Sequence, residues 1–280
     1  MPNMNLELHE KLDSLRKTVA STGGCVVAFS GGVDSSFLLT VAAEVLGERA
    51  LAVIATSSTY PKREFSSALE FVRNRGISYV VVDSEELNIP GFADNPPDRC
   101  YYCKKELFSK LLMQAKTEGL DCVMDGANAD DAQDFRPGMR AARELGVRSP
   151  LLECGLGKSD IRVISREVYG LSTADKQPMA CLSSRFPYGS KITAEKLRQV
   201  EMMEDFLSEN GLTTFRARHH GDTLRLELAH SEAEKLWCGG LREQVVSLAK
   251  SLGFTYVTLD LEGFRSGSMN EVLAEDRRNK

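Results

Sequence analysis

Three short and almost unbroken apolar runs, CVVAFS (25–30), ALAVIAT (50–56) and ISYVVVD (77–83), are each followed by an amphipathic stretch. A strand that is apolar at every position has to be covered on both faces, and an intervening helix supplies the crossover that parallel pairing needs. The spacing predicts a helix over 35–46, with Phe37, Leu38, Val41 and Val45 on one face. It predicts another over 61–76, with Pro61 in its first turn and Gly76 closing it. The alternation continues through KKELFSKLLMQAKTEG (helix), CVMDG (strand), RPGMRAARELG (helix), a short RSPLL and SDIRVISREVYG (helix). This pattern predicts an α/β fold built on a parallel sheet, with ligands at the carboxyl ends of its strands.

After Gly170 the texture changes. LSTADKQPMACLSSRFPYGSKIT has no periodicity and carries Pro178, Pro187 and Gly189, so it reads as a long loop. Loops of that length in a folded chain are usually functional or disordered. A helix over 194–209, strands TTFRARHH and DTLRLELA, a helix over 231–251 and a strand FTYVTLD then suggest a smaller α+β domain. We therefore expect one domain over 1–170 and a second over 171–280.

The 280 residues carry 35 Lys+Arg against 40 Asp+Glu, a net charge of −5, which argues against nucleic acid as the main ligand. No run approaches the roughly 20 apolar residues of a membrane span. The opening MPNMNLELHEKLDSLRK is charged and helical in pattern, unlike a signal peptide, so a cytoplasmic protein is expected.

The first strand breaks into Ser30-Gly31-Gly32-Val33-Asp34-Ser35-Ser36 before its helix. Such a turn lets backbone N–H groups converge on an anion at the positive end of the helix. Gly31 and Gly32 permit close approach, and Ser30, Ser35 and Ser36 add hydroxyls. Asp34 fits a polyphosphate site once Mg²⁺ lies between them. No lysine follows the glycines, so this is not a Walker loop. The turn resembles the pyrophosphate loop (PP-loop) of the ATP-pyrophosphatases, which cleave ATP between its α- and β-phosphates and transfer AMP to an oxygen. DGANADD (125–131) follows the fourth strand, where that superfamily has a second nucleotide-facing turn; Asn128 and Asp130 are candidates, although the same residues make an ordinary helix cap.

Seven cysteines without a secretory signal do not suggest a disulfide framework. Cys25 and Cys122 lie in apolar runs and read as core, and Cys154 and Cys238 have no evident constellation. Cys100 and Cys103 form a C-x-x-C that opens a helix, suited to a redox pair, half a zinc site or part of an iron–sulfur site. Cys181 sits in the long loop beside Ser183, Ser184 and Arg185. Three cysteines would leave one iron of a [4Fe-4S] cluster without a protein ligand, open to an extra sulfide.

The PP-loop, CYYCKKELF, DGANADD, ACLSSRFPYG, FRARHHG and GFRSGSMN together resemble the LarE family, ATP-dependent sulfur transferases of nickel-pincer cofactor synthesis, over essentially the whole chain. The resemblance implies an adenine-nucleotide-hydrolase-like domain using ATP and Mg²⁺. It implies adenylation of the carboxylates of pyridinium-3,5-biscarboxylic acid mononucleotide and their conversion to thiocarboxylates. Some members of the family sacrifice the sulfur of the loop cysteine, which becomes dehydroalanine. Others resemble cluster enzymes with three cysteines, and Cys100, Cys103 and Cys181 place this chain among these, with a sulfide donor as a further partner. A hexamer is also implied.

Arg216 and Arg218 alternate onto one strand face, either solvated or, as the resemblance implies, binding the substrate's phosphate and carboxylates, and Arg185 is a candidate contact for adenylate or substrate. His219 and His220 point to opposite faces and cannot easily share a metal. Lys62 and Arg63 are a possible phosphate-facing pair or a solvated helix start, and Trp237 reads as core or interface packing. A tRNA thiolase would call for a basic surface that the charge balance does not provide. A zinc-stapled nucleotide sensor would bind ATP without releasing pyrophosphate.

Overall fold

A computed structural model describes residues 6–133, 137–177, 180–265 and 267–272; Arg136, Pro178, Ser266 and the first five residues, which fall within the segments quoted above, lie outside them. Contacts divide the chain into two units, Met1–Glu86 with Asp98–Met179, and Leu87–Pro97 with Ala180–Lys280. The expected division after residue 170 did not include the excursion of 87–97 into the second unit, where Asn95 Nδ2 donates to the carbonyls of Phe186 (3.1 Å) and Pro187 (2.8 Å).

The first unit runs α1 (Leu6–Ala20), β1 (Cys25–Ala28), α2 (Val33–Leu46), β2 (Ala50–Thr56), α3 (Lys62–Asn74), β3 (Tyr79–Asp83), α4 (Arg99–Thr117), β4 (Val123–Met124), α5 (Pro137–Glu144), α6 (Pro150–Glu153) and α7 (Lys158–Glu167). Its four strands form a sheet in the order β3-β2-β1-β4, parallel throughout. Because side chains alternate across a strand, Cys25, Val27, Ala52 and Ile54 pack with α1, α2, α3 and α7, while Val26, Leu51 and Val53 pack with α4 and α5. Both faces are thus buried, which is why the strands read as unbroken apolar runs. Burial pushes the Cys25 thiol up to about 12 and also raises Cys122, as expected of core cysteines. The strand order reverses between β1 and β4, so the loops leaving these two strands diverge and open a crevice at their carboxyl ends.

The second unit holds α8 (Ala194–Glu209), β5 (Phe215–His220), β6 (Thr223–Leu228), α9 (His230–Ala233), α10 (Leu241–Ser251) and β7 (Tyr256–Leu259). Strand β5 pairs antiparallel with β6, and β6 pairs parallel with β7 through the α9–α10 crossover. The single helix expected over 231–251 is two helices. Gly239 and Gly240 both adopt positive φ (62° and 75°), a left-handed conformation that breaks a right-handed helix. Trp237, expected to pack, is 64% exposed at this break, with the Arg242 guanidinium over its ring.

Inward from β5, His219 is buried between Phe186 and Phe254 with Nε2 3.1 Å from Gln199 Oε1. Burial, aided by Lys196, pushes it down to about 4, below the roughly 6.5 of an unfolded histidine. Unfolding therefore takes up a proton as the pH falls from about 6.5 towards 4, and stability is lost over that window. We expect Tm to fall on going from pH 7 to pH 5, and His219→Gln to flatten that decline in thermal melts. An undiminished slope in the variant would assign the acid sensitivity elsewhere.

Candidate active site

In the first unit, β1 ends at Ala28 and the chain turns through Gly31, at φ +64°, into α2. A Cβ at Gly31 would lie 3.1 Å from Ala68 Cβ on α3, so both the backbone conformation and the close approach of α3 require glycine there. Gly32 is the N-cap of α2 and provides no side-chain cap, so the side-chain capping that would compete for the helix's first N–H groups is missing. Ser35 Oγ lies 3.1 Å from Ser30 Oγ and donates to Gly32 O at 3.3 Å, and Tyr60 Oη donates to Ser30 O at 2.9 Å. Two buried side-chain atoms in this turn, Asp34 Oδ1 and Ser36 Oγ, have no hydrogen-bond partner among the described residues. The other Asp34 oxygen is paired with Lys158 Nζ, from the first turn of α7. An orphaned carboxylate oxygen beside helix N–H groups suits a cation that bridges to phosphate.

The turn after β4 lies against this loop, and a Cβ on Gly126 would come within 3.0 Å of Ser35 N. Asp125 Oδ1 accepts from Ser149 Oγ at 2.7 Å and from Ala127 N at 3.2 Å. Asn128 Oδ1 accepts from Asp130 N at 3.0 Å, while Asp130 Oδ2 accepts from Lys158 N at 2.8 Å. Asn128 therefore shapes the turn, and Asp130 caps the first N–H of α7 and thereby aims Lys158 at Asp34. Of the expected cationic pair, Lys62 is exposed and the Arg63 guanidinium stands 3.9 Å from Glu64 Oε1. Lys158 and Lys176 both meet the PP-loop. Neither lies near the loop in sequence; the one available hint for Lys158 is its place at the first turn of a helix after Gly157.

Cys100 and Cys103 lie in the first turns of α4, both half-buried. Cys103 Sγ donates to Glu86 Oε1 at 3.6 Å, and Thr59 Oγ1 donates to the same oxygen at 3.1 Å. Burial pushes the Glu86 carboxyl above the usual carboxylate range, and its Oε2 has no hydrogen-bond partner among the described residues. The carboxyl of Glu86 is thus the acceptor that Cys103 Sγ meets at the start of α4. Among the described residues no three His, Cys, Asp or Glu side chains group as metal ligands.

In the second unit, Cys181 is exposed and caps a one-turn helix, Leu182–Arg185. Arg185 is completely buried and forks onto Glu204, 2.8 Å from each oxygen. Burial alone would raise Glu204, but the Arg185 charge and hydrogen bonds hold it below the usual range. Arg185 Nη1 also donates to the carbonyls of Ala180 (2.8 Å) and Cys181 (3.2 Å). The thiol faces solvent on a backbone held from inside.

Arg216 and Arg218 share a face of β5, as alternation predicts, but both are buried. Arg218 forks onto Glu227 at 2.9 and 2.7 Å and donates to Ser184 O and Ser268 Oγ. It thus ties the Cys181 loop to the C-terminal GSMN segment, whose Asn270 accepts from Tyr188 Oη at 2.9 Å. The expected substrate contacts of Arg185 and Arg218 are in this form filled by Glu204 and Glu227. Arg216 stacks on Phe264 and is pushed down to about 10 by burial and the neighbouring Arg185. His220, half-buried on this face, is also lowered by burial, then by Arg225 and Arg218.

No helix among the described residues is long and apolar enough to cross a membrane. Residues 7–91 match the NAD synthase family. The chain is 40% identical to an uncharacterised protein of Synechocystis sp. over 96% of this chain and 100% of that one. It is 38% identical to the pyridinium-3,5-bisthiocarboxylic acid mononucleotide synthase of Lactiplantibacillus plantarum, over 89% of this chain and 90% of that one. It is 27% identical to a subunit of the glutamine-hydrolysing GMP synthase of Thermoplasma volcanium, over 70% of this chain and 66% of that one.

Proposed function

The chain belongs to the LarE family of pyridinium-3,5-bisthiocarboxylic acid mononucleotide synthases, ATP-using enzymes, and on that premise we propose that it converts the carboxylates of a pyridinium biscarboxylate mononucleotide to thiocarboxylates. The observation that carries the reading is the PP-loop: an uncapped helix N-terminus beside an orphaned, buried Asp34 oxygen. That pairing suits a nucleotide polyphosphate with Mg²⁺. A substrate carboxylate oxygen attacks the α-phosphorus and pyrophosphate leaves; a sulfur nucleophile then adds to the acyl carbon and AMP leaves. The loop N–H groups and Lys158 stabilise the departing pyrophosphate charge. Arg216, a buried cation, is the candidate for the substrate's phosphate or carboxylates.

For the sulfur we favour an iron–sulfur cluster over the sacrificial route. Cys100 and Cys103, one helical turn apart and part-exposed, fit two ligand positions, and Cys181, exposed, fits the third by its chemistry. Held by these three, a [4Fe-4S] cluster would supply a transferable sulfide. Ligation asks Cys103 to give up its bond to Glu86. The domains we propose are the two units described, and we expect a homo-oligomer, a sulfide donor and a cytoplasmic location.

The test is iron and acid-labile sulfide on protein purified without oxygen. About four irons per chain are expected, lost in Cys100→Ser while ATP-dependent pyrophosphate release persists. Iron-free wild-type protein that yields thiocarboxylate would sink the cluster and leave Cys181 as the source. Absence of pyrophosphate release would sink the whole reading.

A further inference from the structure

Helix α3 backs the PP-loop through Ala68, and one turn earlier on the same face stands Glu64, 6% exposed. A buried carboxylate behind an anion site has the wrong sign, because it opposes the field that the helix N-terminus provides. Lys176 Nζ lies 2.6 Å from Glu64 Oε2 and donates to Gly31 O at 3.0 Å. The backbone that carries Lys176 is clamped in turn by Arg162 of α7. Its Nη1 donates to Ala174 O at 2.7 Å and its Nη2 to Lys176 O at 2.9 Å. No sequence motif marks Lys176, yet it joins the loop, α3 and α7.

We propose that Lys176 is a positioning residue for the pyrophosphate end of ATP, acting through Gly31 and Glu64 rather than on the nucleotide. Glycine adopts either sign of φ at little cost, so the Gly31 peptide does not choose its own direction. A flipped peptide would turn a carbonyl oxygen towards the phosphates. The ammonium group holds that carbonyl away from the cradle, which leaves N–H groups facing the anion, and it cancels the charge of Glu64. The proposal rests on the reading that this loop binds ATP.

Calorimetric titrations with inorganic pyrophosphate, ATP and AMP, each with Mg²⁺, test it on the full chain. Lys176→Met is expected to bind pyrophosphate and ATP about tenfold more weakly or worse, the loss of a charge-assisted hydrogen bond. AMP affinity should stay within about twofold, since AMP lacks the phosphates the loop holds. Adding Glu64→Gln to Lys176→Met should restore part of the pyrophosphate affinity by removing a buried carboxylate whose remaining cation, Arg63, stands 3.9 Å away, and Lys176→Arg should bind more like the wild type. Equal weakening of all three ligands, or no partial restoration in the double variant, would mean a general structural role and overturn the proposal. Unchanged pyrophosphate affinity would overturn it while leaving the ATP site standing. A wild-type protein that binds neither ATP nor pyrophosphate would overturn both.

Discussion

Cys181→Ser is expected to release pyrophosphate from ATP in the presence of substrate and to form no thiocarboxylate, a loss of at least about 10³-fold in sulfur transfer. Both routes for the sulfur pass through this residue, as sacrificed thiol or as cluster ligand. The side chain is exposed, and its loop is fixed from behind by Arg185, so the substitution changes one atom without disturbing the core. In the proposed mechanism adenylation uses the PP-loop of the first unit, so it should persist. Product masses and pyrophosphate release measured together make the check. Thiolated product at the wild-type rate would remove Cys181 from the chemistry, and parallel loss of pyrophosphate release would mean that it supports adenylation instead. The mass of the spent wild-type protein then separates the sources, because dehydroalanine at position 181 marks the sacrificial route.

The largest stability effect should come from Arg185→Met, which leaves Glu204, 1% exposed, without its fork, so that it must stay buried as a charge or take up a proton. Removing one partner of a buried pair costs about 3–5 kcal/mol, whereas replacing both with apolar groups of similar volume is often nearly neutral. Arg185→Met with Glu204→Leu should therefore recover most of the loss in urea melts. Ala217 N, which donates to Glu204 Oε1 at 3.1 Å, would lose its acceptor, so full recovery is not expected. The double variant should still transfer sulfur slowly, since the Ala180 and Cys181 carbonyls lose their donor. A single variant as stable as the wild type would show that Glu204 is neutral in the folded protein.

Much of the first unit was legible because its signals are local. Unbroken apolar strands between amphipathic helices imply a parallel sheet, and a glycine pair between strand and helix implies an anion turn. Helix 194–209 was placed to the residue, with Thr193 Oγ1 accepting from Lys196 N as its cap. The helix expected over 231–251 is broken for an equally local reason, the left-handed glycine pair at 239–240. Other pairings arise for reasons no window of sequence contains. Arg185 and Arg218 look like free cations in a polar loop and on a strand face. Their carboxylate partners lie 19 and 9 residues away and became adjacent only when α8 and β6 folded against them.

The sequence by itself determined that this chain is an α/β PP-loop protein of the LarE family, because strand composition, glycine placement and a linear motif are properties of consecutive residues. Tertiary structure alone decided which charges pair with which. It set Lys158 on Asp34 and Lys176 on Glu64 and Gly31, gave Cys103 a buried carboxyl as its acceptor, and committed two of three candidate arginines to buried carboxylates. The physical reason is desolvation. A charge removed from water must find a partner, and the nearest partner in space is rarely the nearest in sequence.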